Sequence, residues 1–97
     1  MRLIVFFDLP TVTRQEKFTA SRFRRLLIKQ GFRMLQCSVY IRTTKASSDS
    51  ERYVRIINSN CPKEGDIRCL TISEMQYAMI VRSSEHSDFG TEELIEI

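Results

Sequence analysis

The stretch Arg2-Leu-Ile-Val-Phe-Phe-Asp8-Leu-Pro10 sets the tightest limit on what this chain can become. Leu3 to Phe7 are all bulky, β-branched or aromatic, the composition of a buried strand. Pro10 has no N–H to give to a ladder, so the strand ends at about Asp8. A carboxylate is thereby held at a rigid strand end, where it could bind a metal ion or polarise a water. The same residue could instead accept backbone N–H groups in the following turn, as aspartate often does.

With 97 residues the chain has room for one domain with a single core. No apolar run approaches the roughly 20 residues that cross a bilayer. The first strand starts without a basic leader region or a small-residue cleavage site, which speaks against a signal peptide. Cys37, Cys61 and Cys69 lack a C-x-x-C spacing and His86 stands apart from them. Free thiols in a reducing cytoplasm are therefore expected rather than a zinc site. Charge is divided unevenly. Residues 1–45 hold ten Lys or Arg against two acids, and residues 46–97 hold five against ten. The basic half suits a polyanionic partner, although basic helix faces are often merely solvated.

Thr13-Arg-Gln-Glu16 has capping-box spacing and opens a helix that Gly31 closes near Gln30. Phe18, Phe23, Leu26, Leu27 and the stem of Arg22 fall on its apolar face, and Arg14, Lys17, Arg24, Arg25 and Lys29 occupy the rest. Met34 to Arg42 alternates as one strand, with Leu35, Cys37, Val39 and Ile41 on one side and Gln36, Ser38, Tyr40 and Arg42 on the other. Ser48-Asp-Ser-Glu51 repeats the capping-box spacing and predicts a second helix to about Asn60. Strands are expected at Asp66–Ile72 and Tyr77–Arg82, joined by Ser73–Gln76. After a polar linker from Ser83, Glu93–Ile97 reads as a short closing strand. The literal order is β-α-β-α-β-β with a tail, an α+β sandwich with two helices on one face of an antiparallel sheet.

Three segments together carry a resemblance: Val5-Phe-Phe-Asp8-Leu-Pro10, Gly31-Phe-Arg33-Met-Leu-Gln36-Cys-Ser38-Val-Tyr40, and Leu70-Thr-Ile-Ser-Glu74-Met-Gln76-Tyr77. The chain resembles the small CRISPR-associated Cas2 family over nearly its whole length, in the form found with type II systems. The resemblance implies a ferredoxin-like fold, with a domain at residues 1–82 and a linker and C-terminal dimerisation strand at residues 83–97. It implies a homodimer in which the closing strand extends the partner's sheet, with Phe7, Gln36, Ser38, Tyr40, Leu94, Ile95 and Ile97 at the interface. Gln36 and Ser38 could equally serve only to pack that face.

By the same resemblance Asp8 is the catalytic residue and the magnesium ligand, facing its copy across the dimer. Two apposed carboxylates share a proton or recruit a cation, and Mg²⁺ needs only one or two of them beside a substrate phosphate. The family serves as a central adaptor that holds protospacer DNA between CRISPR integrase subunits during spacer acquisition, in the prokaryotic cytoplasm. An endonuclease activity on RNA or double-stranded DNA is also implied. Phosphate contacts are expected from Arg14, Lys17, Arg22, Arg24, Arg25, Lys29 and Arg33. The closely spaced arginines of many nuclease members are replaced here by Arg14-Gln-Glu-Lys17, and no general base stands near Asp8 in sequence. A toxin-type ribonuclease of similar fold is the alternative. A ferredoxin-like RNA-binding module is a weaker one, because no aromatic-rich RNP strand is present.

Overall fold

A computed structural model describes residues 1–83. The elements are β1 (Arg2–Asp8), α1 (Arg14–Lys29), β2 (Arg33–Gln36), β3 (Val39–Thr43), α2 (Ser47–Ser59), β4 (Asp66–Ile72) and a short α3 (Glu74–Ala78). The sheet order is β2-β3-β1-β4, and every neighbouring pair is antiparallel. This is a ferredoxin-like β-α-β-β-α-β arrangement, as the family resemblance implied. The closing strand expected at Glu93–Ile97, with Leu94, Ile95 and Ile97, lies outside the described residues.

α1 begins as its sequence dictates. The Glu16 N–H donates to Thr13 Oγ1 at 3.0 Å, and Glu16 Oε1 accepts from the N–H groups of Thr13 and Val12, each at 2.9 Å. The helix stops through glycine. Gly31 has φ +91°, and the Phe32 N–H turns back to the Leu27 carbonyl at 2.9 Å while the Gly31 N–H reaches that of Ile28 at 3.0 Å. Those two bonds satisfy carbonyls that the helix end would otherwise strand.

α2 starts differently from its expected capping box. Its N-cap is Ala46, which makes no side-chain cap bond. Asp49 takes over, accepting from the Lys45 N–H at 3.0 Å, while Thr44 and Ser50 share a buried hydroxyl bond of 2.8 Å.

Two further expectations are corrected. Met34–Arg42 is not one strand but a hairpin, turning at Cys37-Ser38 with Ser38 at φ 65°. The ladder slips between Met34 and Gln36, so Gln36 comes opposite Val39 and the two share a face. The second correction concerns Tyr77–Arg82, which is not a strand. Ser73 and Gln76 form a full capping box, with 3.0 Å and 2.8 Å bonds, and open α3 instead. Arg2 pins that helix to the start of β1: its guanidinium bonds both Glu74 oxygens and lies 4.0 Å from the Tyr77 ring centre.

The core lies between the sheet and the two long helices. Leu3, Val5 and Phe7 from β1 and Tyr40 from β3 meet Phe23 and Leu27 of α1 and Tyr53 and Ile57 of α2. Phe7 packs edge-on to Phe23, with ring centres 5.2 Å apart, and lies 5.6 Å from Tyr40. On the opposite face Ile4 and Ile41 are buried, whereas Phe6 and Leu70 stay 38% and 51% exposed.

Candidate functional site

Alternation along β1 decides where each side chain points. Leu3, Val5 and Phe7 enter the core, so Arg2, Ile4, Phe6 and Asp8 occupy the face away from the helices. In the β1–β4 ladder Asp8 is directly opposite Asp66, and Phe6 is opposite Arg68. Opposed residues share a face, which brings Asp8, Asp66, Arg68 and Phe6 together at one end of the open side of the sheet. Neither Asp66 nor Arg68 was expected at the site.

Asp8 is exposed, and among the described residues its carboxylate accepts no hydrogen bond and joins no ion pair. The turn-capping alternative for Asp8 is thus not realised there. Asp66 by contrast is engaged: Arg68 Nε donates to its Oδ2 at 2.8 Å. The backbone around Asp8 is tightly held. The Phe7 N–H bonds the Ser38 carbonyl at 3.0 Å, tying the strand end to the β2–β3 turn. Gly65, at φ +103°, comes so close that a Cβ there would lie 2.8 Å from the Asp8 carbonyl oxygen.

Asp8 sits on the open sheet surface. A groove of about 430 Å³ begins one residue later, lined by Leu9, Pro10, Thr13, Glu16, Pro62 and Lys63 among others. Among the described residues no group of three or more His, Cys, Asp or Glu side chains could enclose a metal ion. With Asp66 taken up by Arg68, the free donor of one chain at this end, among the described residues, is the Asp8 carboxylate. Hydrated Mg²⁺ needs only one or two carboxylates beside a substrate phosphate, and the set falls short of a closed transition-metal site.

The other expected residues are divided between two places. Arg14, Lys17, Arg22, Arg24, Arg25 and Lys29 are all exposed on α1, and none is ion-paired among the described residues. Arg33 is exposed on β2, opposite Ile41 and therefore on the open face of the sheet. Phe18 leaves its expected place in the core and is 55% exposed. On a helix it stands four residues from both Arg14 and Arg22, among the cations.

Phe7 and Tyr40 do not reach a surface where a partner could meet them. Both are buried under the helices, at 7% and 3% exposure. Their neighbours Phe6 and Val39 occupy the open face, because a one-residue step along a strand reverses the direction of the side chain. Gln36 is exposed and Ser38 half-buried, both still accessible.

No helix among the described residues is long and apolar enough to cross a membrane. Comparison with known proteins gives a family. A family model described as CRISPR associated protein Cas2 matches residues 1–80. A protein of Treponema denticola named CRISPR-associated endoribonuclease Cas2 is 41% identical over 96 residues, covering 96% of this chain and 95% of that protein. Proteins of the same name from Acidovorax ebreus and Streptococcus mutans are 38% and 37% identical, over 80% and 84% of this chain and 76% and 74% of their own lengths. With a ferredoxin-like sheet, an acidic residue presented at the end of its first strand and a family match across four-fifths of its length, the chain belongs to the Cas2 family of CRISPR-associated proteins.

Proposed function

We propose that this protein acts in CRISPR adaptive immunity as a dimeric nucleic-acid-binding protein with a metal-dependent phosphodiesterase centre at Asp8. The observation that carries the reading is Asp8 itself: an exposed carboxylate, fixed by its backbone and opposite a second acid. Like charges directly opposed across strands are unfavourable; Arg68 neutralises Asp66, and the Asp8 charge is left without a cation among the described residues. Asp8 is the proposed magnesium ligand, completed by the same residue of a second copy. Magnesium, when bound, supplies charge neutralisation at a phosphodiester and acidifies water. The chain's own part is to hold the carboxylate on a strand that cannot shift, so that little reorganisation is needed at the moment of reaction.

The relatives' name, endoribonuclease, favours RNA as the substrate of that centre. Phe18 supports a single strand, because an exposed ring between two arginines offers a base a stacking platform that a closed duplex cannot use.

The second part of the reading is the adaptor role in spacer acquisition. Six exposed cations on α1 present a field for double-stranded protospacer DNA between integrase subunits, through phosphate contacts without base readout. Phe6 and Leu70 leave apolar surface on the open face of the sheet, which a second copy would cover, and the C-terminal strand would extend that partner's sheet. The proposed location is the prokaryotic cytoplasm.

The test is Asp8→Ala in two assays. Loss of RNA cleavage with spacer acquisition retained assigns the chemistry to Asp8 and the biological role to the adaptor. Loss of acquisition with the dimer intact would contradict the adaptor role as stated.

A further inference from the structure

Asp8 can hold a cation, but a carboxylate cannot itself bind the phosphodiester it is to act on. The α1 cations belong to a different element, and the open end of the sheet needs a cation of its own. Arg68 is placed to supply it. It lies opposite Phe6, on the same face as Asp8 and one diagonal step from it in the β1–β4 ladder. Such diagonal neighbours are about 7–8 Å apart, within reach of a long side chain.

Resting on the Asp8 reading above, we propose that Arg68 is the phosphate-binding residue of this site and that Asp66 is its positioning residue. Arginine suits the task because its planar fork can bind two phosphate oxygens at once. The Arg68–Asp66 pair, 2.8 Å between Nε and Oδ2, joins side chains that are 78% and 58% exposed. Pairs so open to water contribute little to stability, so a substrate phosphate can take over the guanidinium at small cost. Asp66 also explains how Asp8 stays free. Without Asp66 the nearest carboxylate to Arg68 on this face among the described residues is Asp8, and pairing there would neutralise the acid that the cation needs. Asp66 therefore acts as a decoy, occupying Arg68 until a phosphate arrives.

The experiment uses the full chain and a single-stranded RNA, with binding measured in magnesium-free buffer. Affinity is measured against salt concentration, and cleavage is followed at steady state for the wild type, Arg68→Gln, Arg68→Lys, Asp66→Asn and the Asp66→Asn/Arg68→Gln pair. Arg68→Gln is expected to raise KM about ten-fold and to flatten the salt dependence by about one phosphate contact, roughly 0.7 in logarithmic slope. Arg68→Lys should recover the slope but only part of KM. Asp66→Asn should keep the wild-type slope and raise the magnesium concentration needed for half-maximal cleavage at low substrate, and removing Arg68 as well should restore part of that magnesium response. An unchanged slope and KM in Arg68→Gln overturns the assignment of Arg68. An unchanged magnesium requirement in Asp66→Asn overturns the decoy role. Full cleavage by Asp8→Asn would instead defeat the underlying reading of Asp8, while the salt slope still reports separately on Arg68.

Discussion

Asp8 and Asp66 face each other across the last rung of the β1–β4 ladder, and among the described residues only Asp66 has a cation on it, the Arg68 guanidinium. The consequence is an exposed aspartate whose charge is left available at the end of the sheet's central β1 strand. Its neighbours Phe7 and Leu9 are anchored in or against the core, so the carboxylate is presented by a fixed backbone.

Gly65 should prove essential to that presentation. At φ +103° any other L-residue is strained, and a Cβ would press on the Asp8 carbonyl and lie 2.5 Å from Leu9 Cδ2. Gly65→Ala is expected to cost about 1–2 kcal/mol from the backbone conformation alone, measured by urea denaturation. Because the displaced atom belongs to Asp8, RNA cleavage should fall further than RNA affinity does.

Phe18 separates single-stranded from duplex binding. Its ring is already more than half exposed, so Phe18→Ala should change stability little. Loss of one base-stacking contact should weaken single-stranded RNA binding by about 1–3 kcal/mol and leave duplex DNA affinity unaltered. Equal losses on both ligands would place Phe18 in a general structural role.

Charge reversal at Arg24 and Arg25 tests the α1 field. Both side chains are exposed on the helix and carry no ion pair among the described residues. The double variant is expected to keep the wild-type melting temperature and to weaken DNA binding by the same factor at every sequence, with a shallower salt dependence. A wild-type salt slope would remove this part of α1 from the interface.

Acid should loosen three helix starts together. Backbone donation from Thr13 holds the Glu16 carboxyl below its ordinary value, as donation from Lys45 does for Asp49. The Arg2 guanidinium does the same for Glu74. A carboxyl depressed in the folded state adds stability that is fully present above its unfolded value and is lost as the pH falls through the folded one. Thermal stability should therefore be level near neutrality and decline below about pH 4, as unfolded carboxylates begin to take up protons. Glu74→Gln should shrink that decline and release α3 first, seen as faster amide exchange at Tyr77 and Ala78.

Much of this architecture can be read from the chain. β1, α1 and β4 announce themselves through an apolar run, a capping box with a closing glycine, and an apolar alternation. The β2–β3 hairpin does not, because Gln36-Cys37-Ser38-Val39 contains no glycine or asparagine and continues the alternation unbroken. The turn is made by Ser38 at a positive φ that the sequence pattern disfavours. α3 did leave a signal, since Ser73-Glu-Met-Gln76 has the same cap spacing as α1, but the apolar Met79-Ile80-Val81 after it suggested a strand. At the site Asp8 was legible from its own strand. Asp66 and Arg68 were not, because which residue of β4 meets Asp8 depends on strand register set by packing, not by local pattern. Phe7 and Tyr40 fit the family motif but are taken up by the core, and alternation gives the open face to Phe6.

The most direct test of the account is the thermal stability of Asp8→Asn, with and without magnesium, beside its RNA cleavage. If Asp8 is kept for function against a like charge, Asp8→Asn in metal-free buffer should be as stable as the wild type or more so, by up to about 1 kcal/mol. Magnesium should raise the melting temperature of the wild type alone, and cleavage should be lost in the variant. A variant that is destabilised in metal-free buffer, responds to magnesium as the wild type does and still cleaves RNA would contradict the account.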